Sequence, residues 1–380
     1  MVVFQNRRQD KIYVNNQKVF EMKGYKLGGI QQIGVGVKEF KEAWDWYISR
    51  LGMDCRIFEE EAEAKLMLPY TGGVPQKRHA VLALNLQSGG GFEVWQYKGR
   101  EPVEIGEDIR IGDLGILICK IKARNIDDAY SFFSKSNTIL LNQPVPDPSG
   151  EKVFFLKDPF GNIFQIVEDD TWFMDENKVN GGTYGAVIGV TDIDKSRVVY
   201  SDILGYDQVV YDKTGTFPDF ASLPGGTNEF RRVLLKRTEP FSGYFSAIFG
   251  QSHIELVSSV GKPGKKIYRE RFWGDPGFIH LCYDTWGMNE LREYCSKKGF
   301  PFVVDSQHSH QGESFDMGDA AGHFAYIEDP DGVLIEFVET HKIPVLKKLG
   351  WYIDLRKRNS YKPLPSWILK TFKFSKVKEA

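Results

Sequence analysis

The side chain that most needs a chemical explanation is Glu336, which sits inside Val333–Val338 (VLIEFV), a run otherwise made only of apolar residues. A lone carboxylate is costly to bury. It must reach water, pair with a base, or hold a cation. The surrounding stretch, Ala325–Val338 (AYIEDPDGVLIEFV), reads as strand, tight turn, strand: Pro330 presets φ at the first central turn position and Gly332 relieves strain at its end. The same phrase occurs at Phe154–Val167 (FFLKDPFGNIFQIV), with Asp158–Gly161 as the turn and Gln165 where the later copy has Glu336. The chain therefore contains an internal repeat. Other candidate ligands are three clustered histidines, His308, His310 and His323, read as a polar loop with a lid or supporting role as the sharper alternative. The cysteines, Cys55, Cys119, Cys282 and Cys295, show no paired metal spacing and read as buried reduced thiols of a cytoplasmic protein.

The elements that must position these groups follow from periodicity. Gln32–Val37 is a short strand, with Gln32, Gly34 and Gly36 on one face. Phe40–Leu51 carries apolar residues at helical spacing and closes at Gly52, and strands follow at Ala80–Leu86 and Phe92–Gln96. A second unit has a strand over Leu114–Ile121 and a helix over Ile126–Ser134, and ends in the first Asp-Pro-x-Gly hairpin. An acidic stretch, 169–181, links the halves. A third unit has a strand at Ala186–Val190, a helix at Ser196–Leu204 and a last strand at His253–Val257. The fourth runs from Phe278–Tyr283 through a helix at Met288–Lys298 to the hairpin containing Glu336. The helices in FKEAWDWYISRLGMD and SRVVYSDILGYD both close with Leu-Gly. With 380 residues and 42% hydrophobic composition, two domains can fill their cores. A formal net charge of −2 gives no reason to expect nucleic acid as a partner. The N-terminus has no long apolar run, and no run of about eighteen apolar residues suggests a membrane span.

Four β-α-β-β-β units ending in such hairpins resemble the vicinal oxygen chelate superfamily of glyoxalases, bleomycin-resistance proteins and dioxygenases, over about residues 28–340. GIQQIGVGVKEF is similar to glyoxalase I in particular. The resemblance implies an α+β fold: four βαβββ modules forming two glyoxalase-like barrels, plus a C-terminal helical tail. Its expected divisions are an arm at 1–27, a first domain at 28–168 (modules 1 and 2), a linker at 169–181, a second domain at 182–340 (modules 3 and 4) and a basic aromatic tail at 341–380. It places Gln32, Glu93, His280 and Glu336 on the four ligand positions of a divalent metal, with Zn²⁺, Ni²⁺, Mn²⁺ or Fe²⁺ all suited to such N/O donors. Taken singly, these residues have plainer roles: Gln32 facing solvent, Glu93 paired with Arg78 or Lys98, His280 a satisfied core histidine.

The implied site requires the first unit to pair with the fourth and the second with the third. The inner pair then makes a vestigial cavity around Gly185, Glu255, Gln165 and either Ile118 or Asp113. Sequential pairing would instead join Glu255, His280 and Glu336. The implied activity is that of a lyase or isomerase on a small oxygenated substrate. On that resemblance a bound metal would supply stabilisation for an enediolate, and Glu336 or Glu93 would move the proton. Glyoxalase I has an arginine that grips glutathione where this chain has Gly36, so a glutathione adduct is disfavoured, and Gly34 with Gly36 suggests an open cavity floor. An epimerase, a dioxygenase (weakened by having only His280 in place) and a non-catalytic ligand-binding protein are the alternatives. The tail is expected to form an amphipathic helix over Ser366–Phe374, docked on its own barrel or on a partner, with weak peripheral membrane contact as the lesser option.

Overall fold

The structure is a computed structural model that describes residues 24–106, 108–309, 315–317, 320–346, 351–358 and 362–378. The chain opens with β1 (Lys26–Gly36), α1 (Phe40–Leu51), β2 (Cys55–Glu63), β3 (Lys77–Leu84) and β4 (Gly91–Tyr97). Next come β5 (Gly115–Ala123), α2 (Ile126–Lys135), β6 (Ile139–Leu140), β7 (Val145–Pro146), β8 (Lys152–Lys157) and β9 (Ile163–Glu168). The second half begins with β10 (Asn180–Gly189), α3 (Ile193–Arg197), β11 (Gln208–Gly215), β12 (Phe230–Lys236), α4 (Ser246–Phe249) and β13 (His253–Ser259). It continues with β14 (Gly277–Trp286), α5 (Met288–Lys297), β15 (Val304–Asp305), α6 (Ser306–Ser309), β16 (Phe315–Met317), β17 (Ala320–Glu328) and β18 (Leu334–Leu346). The last elements are β19 (Trp351–Asp354) and α7 (Ser366–Leu369).

Local sequence explains the helices. In α1 the buried residues Phe40, Ala43, Tyr47 and Leu51 recur every three or four positions, and Gly52 at φ 67° closes the helix with its N–H on the carbonyls of Ile48 and Tyr47. The third helix starts at Ile193, earlier than the expected Ser196. The Asp192 carboxylate caps it by accepting from the N–H groups of Asp194 and Lys195, and the helical path then widens into π-type turns over Val198–Ile203.

Two curled mixed sheets result. The first has the order β15-β17-β18-β14-β1-β4-β3-β2, with β16 on β17 and β19 on β18. The second has the order β11-β12-β13-β10-β5-β9-β8-β6, with β7 on β8. Each sheet draws strands from both halves of the chain. Residues 28–168 and 182–340, expected to be the two domains, therefore do not form one sheet each: the first segment pairs with the fourth, the second with the third. At the centre of each sheet the two first strands meet antiparallel, β1 with β14 and β5 with β10.

What joins consecutive segments is helix-to-turn contact. The Tyr47 hydroxyl in α1 donates to Asp158 Oδ2 at 2.8 Å, and the Tyr200 hydroxyl donates to Asp329 Oδ2 at 2.9 Å. Both aspartates open the Asp-Pro-x-Gly turns seen in the sequence. Their other oxygens accept the turn's own N–H groups, from Phe160 and Asn162 in one case and Asp331 and Val333 in the other. Each aspartate thus shapes its turn and ties it to a helix some 110 to 130 residues away, a separation of 111 and 129 respectively. Apolar packing joins the sheets: Phe164 lies 6.0 Å from Phe92 and 5.6 Å from Phe278 between ring centroids.

The strand β18 continues past residue 340 to Leu346, and β19 folds back on it. The tail then docks on its own sheet. Leu355, Leu364, Ile368 and Leu369 are buried with Leu82, Leu84 and Phe249. Lys376 pairs with Glu176 at 2.6 Å, and Val377 N–H reaches the Asp54 carbonyl. The expected helix over Ser366–Phe374 is only α7 followed by a 3₁₀ stretch at Lys370–Ser375. In that stretch Phe372 packs only partly on the sheet and Phe374 is exposed, too little apolar burial to hold a longer α-helix. Of the expected arm, residues 1–23 lie outside the described residues and β1 begins within it. Among the described residues no helix is long and apolar enough to cross a membrane, and all four cysteines are buried free thiols.

Candidate metal centre

The four middle strands of the first sheet, in the order β18-β14-β1-β4, each supply one of the predicted ligands. Register makes them converge. Gly34 lies opposite both His280 on β14 and Glu93 on β4, while Cys282, two residues beyond His280, lies opposite Gln32 and Glu336. The structure brings all four predicted residues together. His280 Nε2 is 3.2 Å from Glu336 Oε2 and 3.4 Å from Glu93 Oε2, and Gln32 Nε2 is 3.4 Å from Glu336 Oε2. One ligand atom from each of Glu93, His280 and Glu336 lies within 4.8 Å of the others.

These donors fit a divalent cation. His280 Nδ1, fully buried, and Gln32 Oε1 have no hydrogen-bond partner among the described residues, and His280 Nε2 has only the long carboxylate contacts just given. Orphaned buried polar atoms are expensive in a folded protein. The spacings are also longer than the ~2.7–2.9 Å of a charge-assisted hydrogen bond. Two donors bonded at about 2.1 Å to one ion would stand about 3.0 Å apart at a right angle and about 3.4 Å at a tetrahedral one. The plainer role of Glu93 fails on distance: Arg78 pairs with Glu60 at 2.5 Å and Lys98 with Glu61 at 3.7 Å.

Electrostatics agree. Burial raises the Glu93 carboxyl above its usual range and the neighbouring Glu336 raises it further, against the pull of His280. Burial by itself would lower the His280 imidazole, but Glu336 and Glu93 together hold it above its ordinary value. Two carboxylates this close need a positive partner. A proton on the imidazole supplies one, and a metal ion would supply a stronger one. Trp273 stacks over His280 with centroids 5.9 Å apart, closing one side of the site.

Gly34 makes room for the histidine. A Cβ there would stand 2.4 Å from His280 Cε1 and 2.7 Å from Ile279 Cγ1. At Gly36 a Cβ would meet the Asp275 carbonyl oxygen at 2.1 Å. The expected open floor is therefore absent: an imidazole and the turn at Gly274 and Asp275 occupy the space beside the two glycines. Gly34→Ala is expected to tilt the ring and weaken Zn²⁺ binding about 10- to 100-fold, the usual effect of misdirecting a ligand, as read by competition with a chromophoric chelator. Unchanged affinity would mean that His280 does not ligate.

The second sheet repeats the register with other side chains. Val187 takes the place of Gly34, opposite Ile118 and Glu255, and Gln165 lies opposite Lys120 as Glu336 does opposite Cys282. Gly185 adds no ligand, and Asp113 is engaged elsewhere, accepting from the N–H groups of Arg110 and Lys265. The expected vestigial cavity is filled. Lys120 Nζ donates to Gln165 Oε1 at 2.6 Å and Glu255 Oε2 at 2.8 Å, while Arg232 Nε and the Tyr211 hydroxyl both reach Glu255 Oε1 at 2.7 Å. An ammonium stands where the first sheet gathers its ligands. Sequence reasoning missed Lys120, although a lysine inside the apolar run LGILICKI was a signal of the same kind as Glu336. Of the three clustered histidines, the side chains of His308 and His310 lie outside the described residues, and His323 packs against His341 with ring centroids 4.6 Å apart.

A cavity of about 610 Å³ opens in front of the first centre, with Gln32, Glu93 and Glu336 on its wall. This volume lies within the range of small-molecule sites.

Residues 185–337 match the family model described as the Glyoxalase/Bleomycin resistance protein/Dioxygenase superfamily. Two solved structures share the fold. One is a candidate dioxygenase from Bacillus subtilis subsp. subtilis str. 168, with a TM-score of 0.52 at 14% identity over 83% of this chain and 86% of that one. The other is a mutant of glyoxalase I from Zea mays, with a TM-score of 0.51 at 13% identity over 82% of this chain and 92% of that one. No curated protein matches the sequence. The match covers most of the second half of the chain, and the fold shared with these structures extends over most of it. At these identities the likeness to solved structures defines the fold and leaves the reaction to be argued from the site.

Proposed function

We propose that the protein is a divalent-metal-dependent lyase or isomerase of the glyoxalase type, acting on a small oxygenated substrate, with Gln32, Glu93, His280 and Glu336 as the ligand set. The observation that carries this reading is the buried convergence of those four side chains, with His280 Nδ1 and Gln32 Oε1 left without a hydrogen-bond partner among the described residues. Zn²⁺, Ni²⁺, Mn²⁺ or Fe²⁺ would suit the donors, and when bound such an ion supplies Lewis-acid stabilisation of negative charge developing on substrate oxygens.

The chain's own residues do the rest. Glu336 and Glu93 face the cavity, and either can accept a proton from a substrate C–H and return it to a neighbouring carbon. Trp273 and Tyr326 border the same space and keep water from the reacting end. One imidazole among two carboxylates and an amide differs from the two histidines and one carboxylate of oxygen-activating iron sites, which favours proton transfer over dioxygenation.

The test is exchange. Metal-loaded protein in D₂O should incorporate deuterium at the hydroxyl-bearing carbon of an aryl α-hydroxyketone, followed by proton NMR, and Glu336→Gln should slow this by about 10²-fold or more. Oxygen uptake with a catechol, and no exchange, would move the assignment to a dioxygenase. Tight ligand binding with neither reaction would leave a binding protein.

A further inference from the structure

The cavity wall joins the polar centre and a set of charged side chains to an apolar surface. That surface includes Leu82 and Leu84 of β3, Phe245 and Phe249 at α4, and Ile343 and Phe372 from beyond the repeated segments. The two phenylalanines Phe245 and Phe372 stack with centroids 6.4 Å apart and planes at 28°. The stretch holding Phe372 is pinned from behind: its carbonyl accepts from the Cys55 thiol, and Lys376 is held by Glu176 and Asp54. The C-terminal tail is thus a wall of the site.

Charge narrows the choice further. Among the described lining residues four carboxylates (Glu60, Glu63, Glu93 and Glu336) stand against two cations, Lys65 and Arg78, and Arg78 is already paired with Glu60. A divalent ion at the centre would bring that balance to neutral and leave no surplus for an anionic substrate. The two carboxylates of a glutathione adduct would find no arginine clamp here, since the place of the expected arginine is taken by Gly36 packed on the Asp275 backbone.

We propose that the substrate is an uncharged molecule with an oxygen-chelating head and an apolar body. The head would lie at the metal centre and the body between Phe245, Phe249 and Phe372, so that the tail determines specificity. This rests on the metal-centre reading above. The probes are hydroxamates, which chelate through two oxygens, titrated calorimetrically into the full chain loaded with Zn²⁺. Octanohydroxamate should bind more tightly than acetohydroxamate by up to about fourfold per added methylene, the factor for burying a CH₂ group. The same chain ended by a carboxylate should bind at least about tenfold more weakly than octanohydroxamate, because burying an unpaired charge is unfavourable. In Phe372→Ala and in Phe245→Ala the gain from acetyl to octanoyl should shrink by about tenfold or more, with thermal melting showing that each variant is folded. Metal-dependent binding whose strength ignores chain length, or rises with the terminal carboxylate, overturns the proposal while the metal centre stands. Binding that is the same with and without Zn²⁺ overturns the metal-centre reading and this proposal with it.

Discussion

His280→Ala protein is expected to emerge from purification nearly metal-free, falling from about one equivalent of divalent ion per chain to less than about a tenth, because the remaining donors cannot hold the ion against buffer. The loss should be larger than for Gln32→Ala. The imidazole is the central donor, 3.2 and 3.4 Å from the two carboxylate oxygens, whereas the amide lies at the edge, 3.4 Å from one of them. Removing the ring also leaves Glu93 and Glu336 facing each other without a positive partner, so their mutual repulsion opposes folding at neutral pH. Elemental analysis of wild-type and variant protein gives the answer directly. Equal metal content in both, or none in wild-type protein offered each of the four ions, would show that the convergence is structural.

The second large effect lies in the other sheet. Lys120→Met should lower stability by about 3–5 kcal/mol, the usual result of removing one partner from a buried ion pair, read as a shift of the urea midpoint. Lys120 is 3% exposed and Glu255 fully buried, so water cannot replace the lost ammonium. A Lys120→Met/Glu255→Gln double variant should recover part of the loss, which isolates the coupling from simple packing.

Its pH dependence follows from linkage. Burial by itself would raise the Glu255 carboxyl, but Arg232 and Lys120 outweigh it and bring it from 4.5 down to about 2. A group whose folded value is depressed contributes stability that is fully present above its unfolded value and is lost as pH falls toward the folded one. Here the window is 4.5 down to about 2, and the contribution is roughly 3 kcal/mol. The gap between wild-type and Lys120→Met protein should therefore be full at pH 6 and narrow in acid, where the variant's Glu255, held only by Arg232, takes up its proton at higher pH than the wild-type carboxylate does. A gap that stays constant through that range would mean that Lys120 acts by packing and not by charge.

Much of this molecule was legible in its residues. The paired Asp-Pro-x-Gly hairpins, the helices closing at Gly52 and Gly205, and the carboxylate stranded in VLIEFV are local signals, governed by turn chemistry, helix period and the cost of burying charge, and these act over a few residues. The resemblance to a known superfamily then directed attention to Gln32, Glu93 and His280, none of which stands out in isolation. Three things were decided only by tertiary structure. Strand pairing between segments 304 residues apart, which brings Gln32 to Glu336, depends on which exposed edges match, and no local pattern encodes that choice. The fate of the two glycines depended on what packed against them: Gly34 houses the His280 ring and Gly36 meets a backbone carbonyl, where the sequence suggested empty space. The second centre became an ion-pair lock because Lys120 lies in register with Gln165 and near Glu255 across three strands. A lysine is read as solvent-facing until its neighbours in space, rather than in sequence, supply the two acceptors that make its burial affordable.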